Sequence, residues 1–301
     1  MSHATAAHTP LAVDAIAEPA RPARRSTFSR LLQDPRAVGA GAVLVCLVLI
    51  AIFAPLLAPH DPEAIDPAAS LARPSADHWL GADQLGRDVL SRLMFGARLS
   101  LQISIESVTL AVLVGVTLGV LSSYFGGWIE LIVMRVVDVL LVFPALVLAI
   151  TVAAYLGPSV EHIALVIGIV YMPIFARLAY SVTAVTRRAE FVQAARALGA
   201  SHARIILRGI LPNSLAPLIV QVSLSLGFAV LAESGLSFLG VGVPPPATSW
   251  GAEIAGARLT LDKDPLLVVW PSAVLGLAIL SFNVLGDALR DVLDPRIREN
   301  R

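Results

Sequence analysis

An all-α, polytopic membrane protein with six transmembrane helices and one short helix on its inner face is the fold class this sequence predicts, on three observations. Hydrophobic residues make up 56% of the 301 and charged ones only 15%, with a mean hydropathy of +0.78, far from the balance of a soluble domain. Uncharged runs recur that approach the length of about 20 residues a helix needs to cross a bilayer with its backbone satisfied internally. Arginines collect in alternate connecting segments, as they do in membrane proteins that keep positive charge inside.

The elements follow in order. Residues 4–25 are rich in Ala, Pro and Arg without apolar periodicity, so 1–36 is expected to be a partly disordered cytoplasmic tail. The first span is 37–59. Its apolar run is longer than that of a signal peptide and follows a long polar stretch, so it is expected to stay as an anchor. An external loop, 60–98, leads to the core at 99–290. There the second span runs over 107–129 to the Gly126-Gly127 break, and the third over 139–160. The fourth, 162–176, is long enough only if it continues past Arg177 towards Thr186 with the arginine snorkelling to the interface. Spans at 209–232 and 265–286 complete the set, before a cytoplasmic tail at 291–301. With both ends inside, 16 of the 22 positive charges are cytoplasmic, and four of the other six share the long first loop.

Lys plus Arg and Asp plus Glu each total 22, so there is no net charge to attract nucleic acid. The single cysteine, Cys46, excludes an intrachain disulfide and reads as a packing residue. The six histidines are scattered, and no metal site is expected from them. Charges within spans carry more information, because each costs about 2.5 to 3.5 kcal/mol at a helix centre unless paired or wet. Glu106 and Glu233 are the deepest, and each either lines a polar cavity, is ion-paired or lies near the interface. Arg135 and Asp138, three apart, are expected to pair with each other.

Between the fourth and fifth spans, Phe191, Ala194, Ala195 and Leu198 repeat at three- and four-residue intervals and give 190–199 one small, apolar face. Such a helix either lies on the membrane surface or docks in a groove. Gly199 suits a left-handed helix end, and Pro212 suits the restart of a helix, where its missing N–H is no loss. Gln193-Ala194-Ala195, Gly199 and Leu211-Pro212 have the spacing of the EAA loop of binding-protein-dependent ABC importers and resemble it. Gln193 stands where a glutamate is usual, and Gly209 where an aliphatic is expected.

Two further stretches, from His78-Trp79-Leu80-Gly81 to Ser91-Arg92 and from Leu236-Ser237-Phe238 through Pro244-Pro245-Pro246 to Ser249-Trp250-Gly251, resemble signatures of the C-type permease of dipeptide, oligopeptide and nickel importers. The segment from Phe282 to Arg296 is similar to that family's ending. Read as residues alone, Trp79, Phe238 and Trp250 among turn-forming Gly and Pro suggest aromatic rings at the outer lipid–water boundary. They either anchor there or also form a rim that meets a docking protein.

The resemblance implies a bacterial inner-membrane permease with the type I ABC importer fold and no catalytic residues. It implies a heterodimer with a second permease, two ATP-binding subunits that hold ATP and Mg²⁺, and an external solute-binding protein. No Gly-x-x-x-x-Gly-Lys-Ser/Thr loop occurs, so no ATP cofactor is expected in this chain. Gln193, Ala194, Ala195, Leu198, Gly199 and Pro212 are the residues expected to couple to the ATPase. Dipeptides, oligopeptides, glutathione-like molecules and nickel chelates are all open as solutes. A secondary transporter is the rival reading, but it predicts paired, interrupted spans. An intramembrane hydrolase would need a nucleophile beside His162, and none is evident.

Overall fold

The computed structural model describes residues 31–293; the expectations for the two tails at 1–30 and 294–301 lie outside them. Helix α1, Pro35–Leu57, starts where Pro35 needs no N–H and the Asp34 side chain accepts from the Arg36 amide. Its buried stripe, Ala37, Ala40, Leu44, Leu47, Ala51 and Ala54, has three- and four-residue spacing. The stripe packs on α2, Val89–Phe125, and on the last helix, α9, Leu266–Leu293. Val45, Ile52, Phe53 and Leu56 stay exposed, which suits lipid.

At 37 residues, α2 is about 55 Å long, more than a bilayer requires. It begins at Val89, so 89–98 are helical and not external loop, and Glu106 lies inside the helix and not at its entry. It ends at Gly126, whose positive φ of 69° stops the helix before the expected 129.

The third span is not the single run 139–160. Helices α3, Gly127–Val142, and α4, Ala145–Leu156, meet at 97°. Pro144 explains the bend: a residue before proline is driven into extended backbone, and Phe143 has φ −74° and ψ 137°. The fourth span, α5, Val160–Thr186, continues past Arg177 as required. Arg177 does not snorkel alone, because its guanidinium pairs with Asp138. Asp138 therefore faces another helix and not Arg135, since the interhelical partner is in reach.

Short α6, Glu190–Ala197, precedes an α-turn at His202–Ile205 and a π-turn at Ile206–Ile210, which run into α7, Leu211–Phe238. Pro212 stands in the first turn of α7, as expected, although the π-turn joins that helix to the preceding segment without a gap. The Leu211 amide donates to the Ile206 carbonyl, five residues back, and the widened turn admits a proline that a tight α-turn would repel. Helix α8, Trp250–Ala257, lies between α7 and α9. Among the described residues, five helices are long and apolar enough to cross a membrane, and six spans result when the bent α3–α4 pair is one of them.

The deepest helix crossing joins α2 to α5. A Cβ on Gly115 would lie 2.5 Å from the Met172 carbonyl oxygen, and one on Gly119 only 2.2 Å from that of Ala176. Small residues four apart allow this backbone approach, the means by which membrane helices gain contact without a hydrophobic drive. Gly119→Val is therefore expected to force the helices apart and cost about 1 to 3 kcal/mol or more. Denaturant titration in detergent checks this, and unchanged stability would contradict the close packing.

Candidate functional site

Two clusters stand out, one at each end of the bundle. The first is the elbow around α6. Val192 is fully buried and Ala195 packs on the main core beside Ile205 and Ile210, so this side roots the helix in the spans. Phe191, Ala194 and Leu198 are uncovered, with Leu198 87% exposed. The short helix stops at Gly199, whose φ is 76°, while the Ala200 amide closes the turn onto the Ala195 carbonyl at 3.0 Å. The exposed apolar face is thus held rigidly.

Several contacts fix the elbow to α2. The Arg187 guanidinium donates to the Ser123 carbonyl. Tyr124 carries Arg196 over its ring at 5.7 Å, and its hydroxyl meets His202 Nδ1 at 2.9 Å. Gln193 Nε2 donates to the Arg188 carbonyl at 3.0 Å. A glutamate has no proton to give there, so at this position the amide ties the helix to its own entry turn. Gly209, the other departure from the EAA pattern, lies beside Phe191, and a Cβ there would make ordinary contact with Phe191 Cε2 at 3.5 Å.

At the opposite end, Glu233 is fully buried and has no cationic partner among the described residues. Three hydroxyls hold it: Ser237 at 2.7 Å, Ser100 at 3.0 Å and Ser234 at 3.4 Å. Ser100 also accepts the Trp250 amide, and Ser237 accepts the Val243 amide. The carboxylate therefore knots α2, α7 and the segment before α8 together, and the ion pair weighed for it is absent. Ion pairs at this end join other residues, Arg92 with Glu253 at 2.7 Å and Arg87 with Asp83 at 2.6 Å; Arg92 also donates to the Pro62 carbonyl. Beside them lies a cleft of about 180 Å³ lined by Asp83, Arg87, Pro245 and Pro246.

The three aromatic residues of the expected rim separate. Trp79 is 66% exposed. Phe238 is half-buried, with Arg258 over its ring at 4.9 Å. Trp250 is completely buried, its Nε1 donating to the Leu93 carbonyl at 3.2 Å, so it is no interfacial ring. The reason lies in its neighbours. Gly96 leaves the indole its space, and Gly251 sits where a Cβ would be 2.4 Å from Ser234 Cα.

Glu106 is exposed on α2 and accepts from Gln102 Nε2 at 2.9 Å. Gln102, Glu106, Thr109 and Thr117 recur at helical spacing along one uncovered stripe, interrupted by Leu113. Sequence reading missed the stripe, the serines around Glu233 and the Arg92–Glu253 pair. Only the stripe had a periodic signal to find.

Comparison with known proteins adds to this geometry. A family model described as binding-protein-dependent transport system inner membrane component matches residues 111–299. One described as the N-terminal TM domain of oligopeptide transport permease C matches 23–74. The chain is 42% identical over 274 residues to the dipeptide transport system permease protein DppC of Alkalihalophilus pseudofirmus, covering 91% of this chain and 90% of that protein. It is 39% identical over 275 residues to the glutathione transport system permease protein GsiD of Pectobacterium atrosepticum, covering 91% of each. A chain of the MetNI methionine ABC transporter, solved in inward-facing conformations, superposes with a TM-score of 0.55 at 17% identity. That match covers 68% of this chain and 96% of the other, a likeness of fold.

Proposed function

This chain belongs to the binding-protein-dependent transport system inner membrane components and is a transmembrane permease subunit of an ABC importer, and we propose that it carries peptides or peptide-like solutes inward by alternating access. Relatives named for dipeptide and glutathione transport support that solute class. The observation that carries the mechanism is the uncovered face of α6, Phe191, Ala194 and Leu198, on a helix rooted by Val192.

In this reading, α6 is the coupling helix of an EAA loop and fits a groove on one of two ATP-binding subunits. Those subunits hold ATP and Mg²⁺ and perform the hydrolysis, and a second permease completes the pore. When the ATPase pair closes, α6 moves with it. Because Arg187 grips α2 through Ser123 and the 202–210 segment continues into α7, the motion passes to the spans as a rigid-body tilt. The two states differ in the contact between groove and helix, which is the differential interaction a switch requires. With α6 in the cytoplasm, positive charge is on the inside and the Glu233 knot faces outward, where an external binding protein delivers solute. The stripe bearing Glu106 is assigned to the solute path, since a charge facing lipid at that depth costs about 2.5 to 3.5 kcal/mol.

Purification with and without its genomic neighbours, followed by reconstitution into liposomes, tests the proposal. ATP hydrolysis stimulated by solute-loaded binding protein, and ATP-dependent uptake of labelled dipeptide or glutathione, are expected only from the complex. Uptake by the lone chain driven by an ion gradient would overturn it.

A further inference from the structure

The histidines that are scattered in sequence do not stay scattered in the fold. His60, three residues beyond α1, and His78, within the connecting loop, converge on Asp88, the N-cap of α2. His78 Nδ1 lies 3.0 Å from Asp88 Oδ1 and His60 Nδ1 lies 3.8 Å from the same oxygen. The three ligand atoms all fall within 4.8 Å of one another. We propose that His60, His78 and Asp88 form a binding site for a divalent transition-metal ion of the zinc class, clipping the end of α1 to the start of α2.

The geometry favours an ion over a simple hydrogen-bonded cluster. Zinc binds imidazole nitrogen and carboxylate oxygen at about 2.0 to 2.2 Å, so tetrahedral ligands stand roughly 3.4 Å apart. The two separations from Oδ1 bracket that value, and with all three ligand atoms within 4.8 Å, rotation of the rings can bring them to one ion. The two rings lie side by side, with centroids 4.9 Å apart and planes inclined by 33°, so both can turn their nitrogens towards one point.

Charge argues the same way. The Asp88 side chain has no solvent exposure, and its ion-pair partners among the described residues are these two imidazoles, without Lys or Arg. Unlike Glu233, Asp88 has imidazoles and not only hydroxyls around it, and a divalent cation on two neutral imidazoles would offset the cost of burying its charge. The rest of the carboxylate is already oriented for the task. Oδ2 accepts from the Ser91 amide at 2.8 Å and the Ser91 hydroxyl at 2.7 Å, which leaves Oδ1 facing the rings. The same hydroxyl accepts the His60 amide at 3.1 Å, so one serine positions two of the three ligands, as supporting residues around metal sites do. The His60 side chain is 41% exposed, giving a route of entry and an open fourth position for water.

The test uses the full chain in detergent, carrying an affinity tag without histidine. After stripping with chelator, the protein is incubated with zinc chloride, separated from free ion by gel filtration and assayed for metal by mass spectrometry. One zinc per chain and a rise in Tm are expected. Asp88 also caps α2 through the Ser91 amide, so a change there mixes two roles, and the deciding variants are His60→Ala and His78→Gln. Each is expected to weaken zinc binding by about tenfold or more, while His162→Ala binds as the parent does. Because His60 supplies no cap, His60→Ala without metal should unfold at the parent's temperature, which separates lost binding from lost fold. Absence of stoichiometric zinc, or retention of full affinity by His60→Ala, would overturn the site and leave an ordinary His78–Asp88 hydrogen bond.

Discussion

Leu198→Asp is expected to reduce transport to background while the chain still inserts and folds. In the isolated chain Leu198 is 87% exposed, and an exposed substitution away from special backbone shifts stability by about 0.5 kcal/mol or less. In the proposed docking of α6, the same side chain is buried in the ATPase groove. Loss of its burial removes about 1.5 to 3 kcal/mol, and an unpaired carboxylate taken out of water adds several more. A total of about 3 kcal/mol or more corresponds to roughly a hundredfold weaker docking. Co-purification of the ATP-binding subunits and ATP-dependent uptake in proteoliposomes are the two measurements, with size-exclusion elution of the chain as the check on folding. Wild-type levels of both would remove the basis for calling α6 a coupling helix. Val192→Asp is the useful contrast: it points a carboxylate into the protein interior and should fail at folding instead.

The face that this experiment probes was legible in the sequence because helical spacing is a local property. Phe191, Ala194 and Leu198 recur with the period of a helix, and so do the small residues of α2 that admit α5, but Ala195, expected on the same open face, packs on the core instead because it lies on the side that Val192 roots. The spans were legible for the same reason, although their ends moved where a single residue governs the backbone. Gly126 closes α2 early through its positive φ. Pro144 converts one expected span into two helices at 97°, a bend that the Phe143-Pro144 pair signals on its own. What periodicity cannot convey is which residues distant in the chain share a pocket. Ser100 and Ser237 meet at Glu233 across 137 positions, and Arg92 meets Glu253 across 161. Each of these serines is by composition an unremarkable polar residue within an apolar helix.

The same limit separates two tryptophans that look alike in the sequence. Both lie beside glycine and proline in segments outside the spans, and both were expected at the membrane boundary. Trp250→Ala is expected to destabilise the chain by about 3 to 5 kcal/mol, the range for emptying a buried aromatic site. It removes the indole packed in the cluster with Leu93, Ala97 and Val230, together with the indole's bond to the Leu93 carbonyl. The Trp250 amide, which binds Ser100 beside Glu233, sits on the same residue, so a cavity here also loosens the buried carboxylate and the start of α8. Trp79→Ala should change stability by about 0.5 kcal/mol or less, because its ring is mostly exposed and its indole N–H reaches only the local Ala76 carbonyl. Parallel denaturant titrations in detergent compare the two variants. Equal losses would mean that Trp250 does not hold the outer segment onto the bundle. A large loss confined to Trp250→Ala, with uptake by Trp79→Ala then measured separately, divides an aromatic residue that builds the outer mouth from one that remains free for a docking protein.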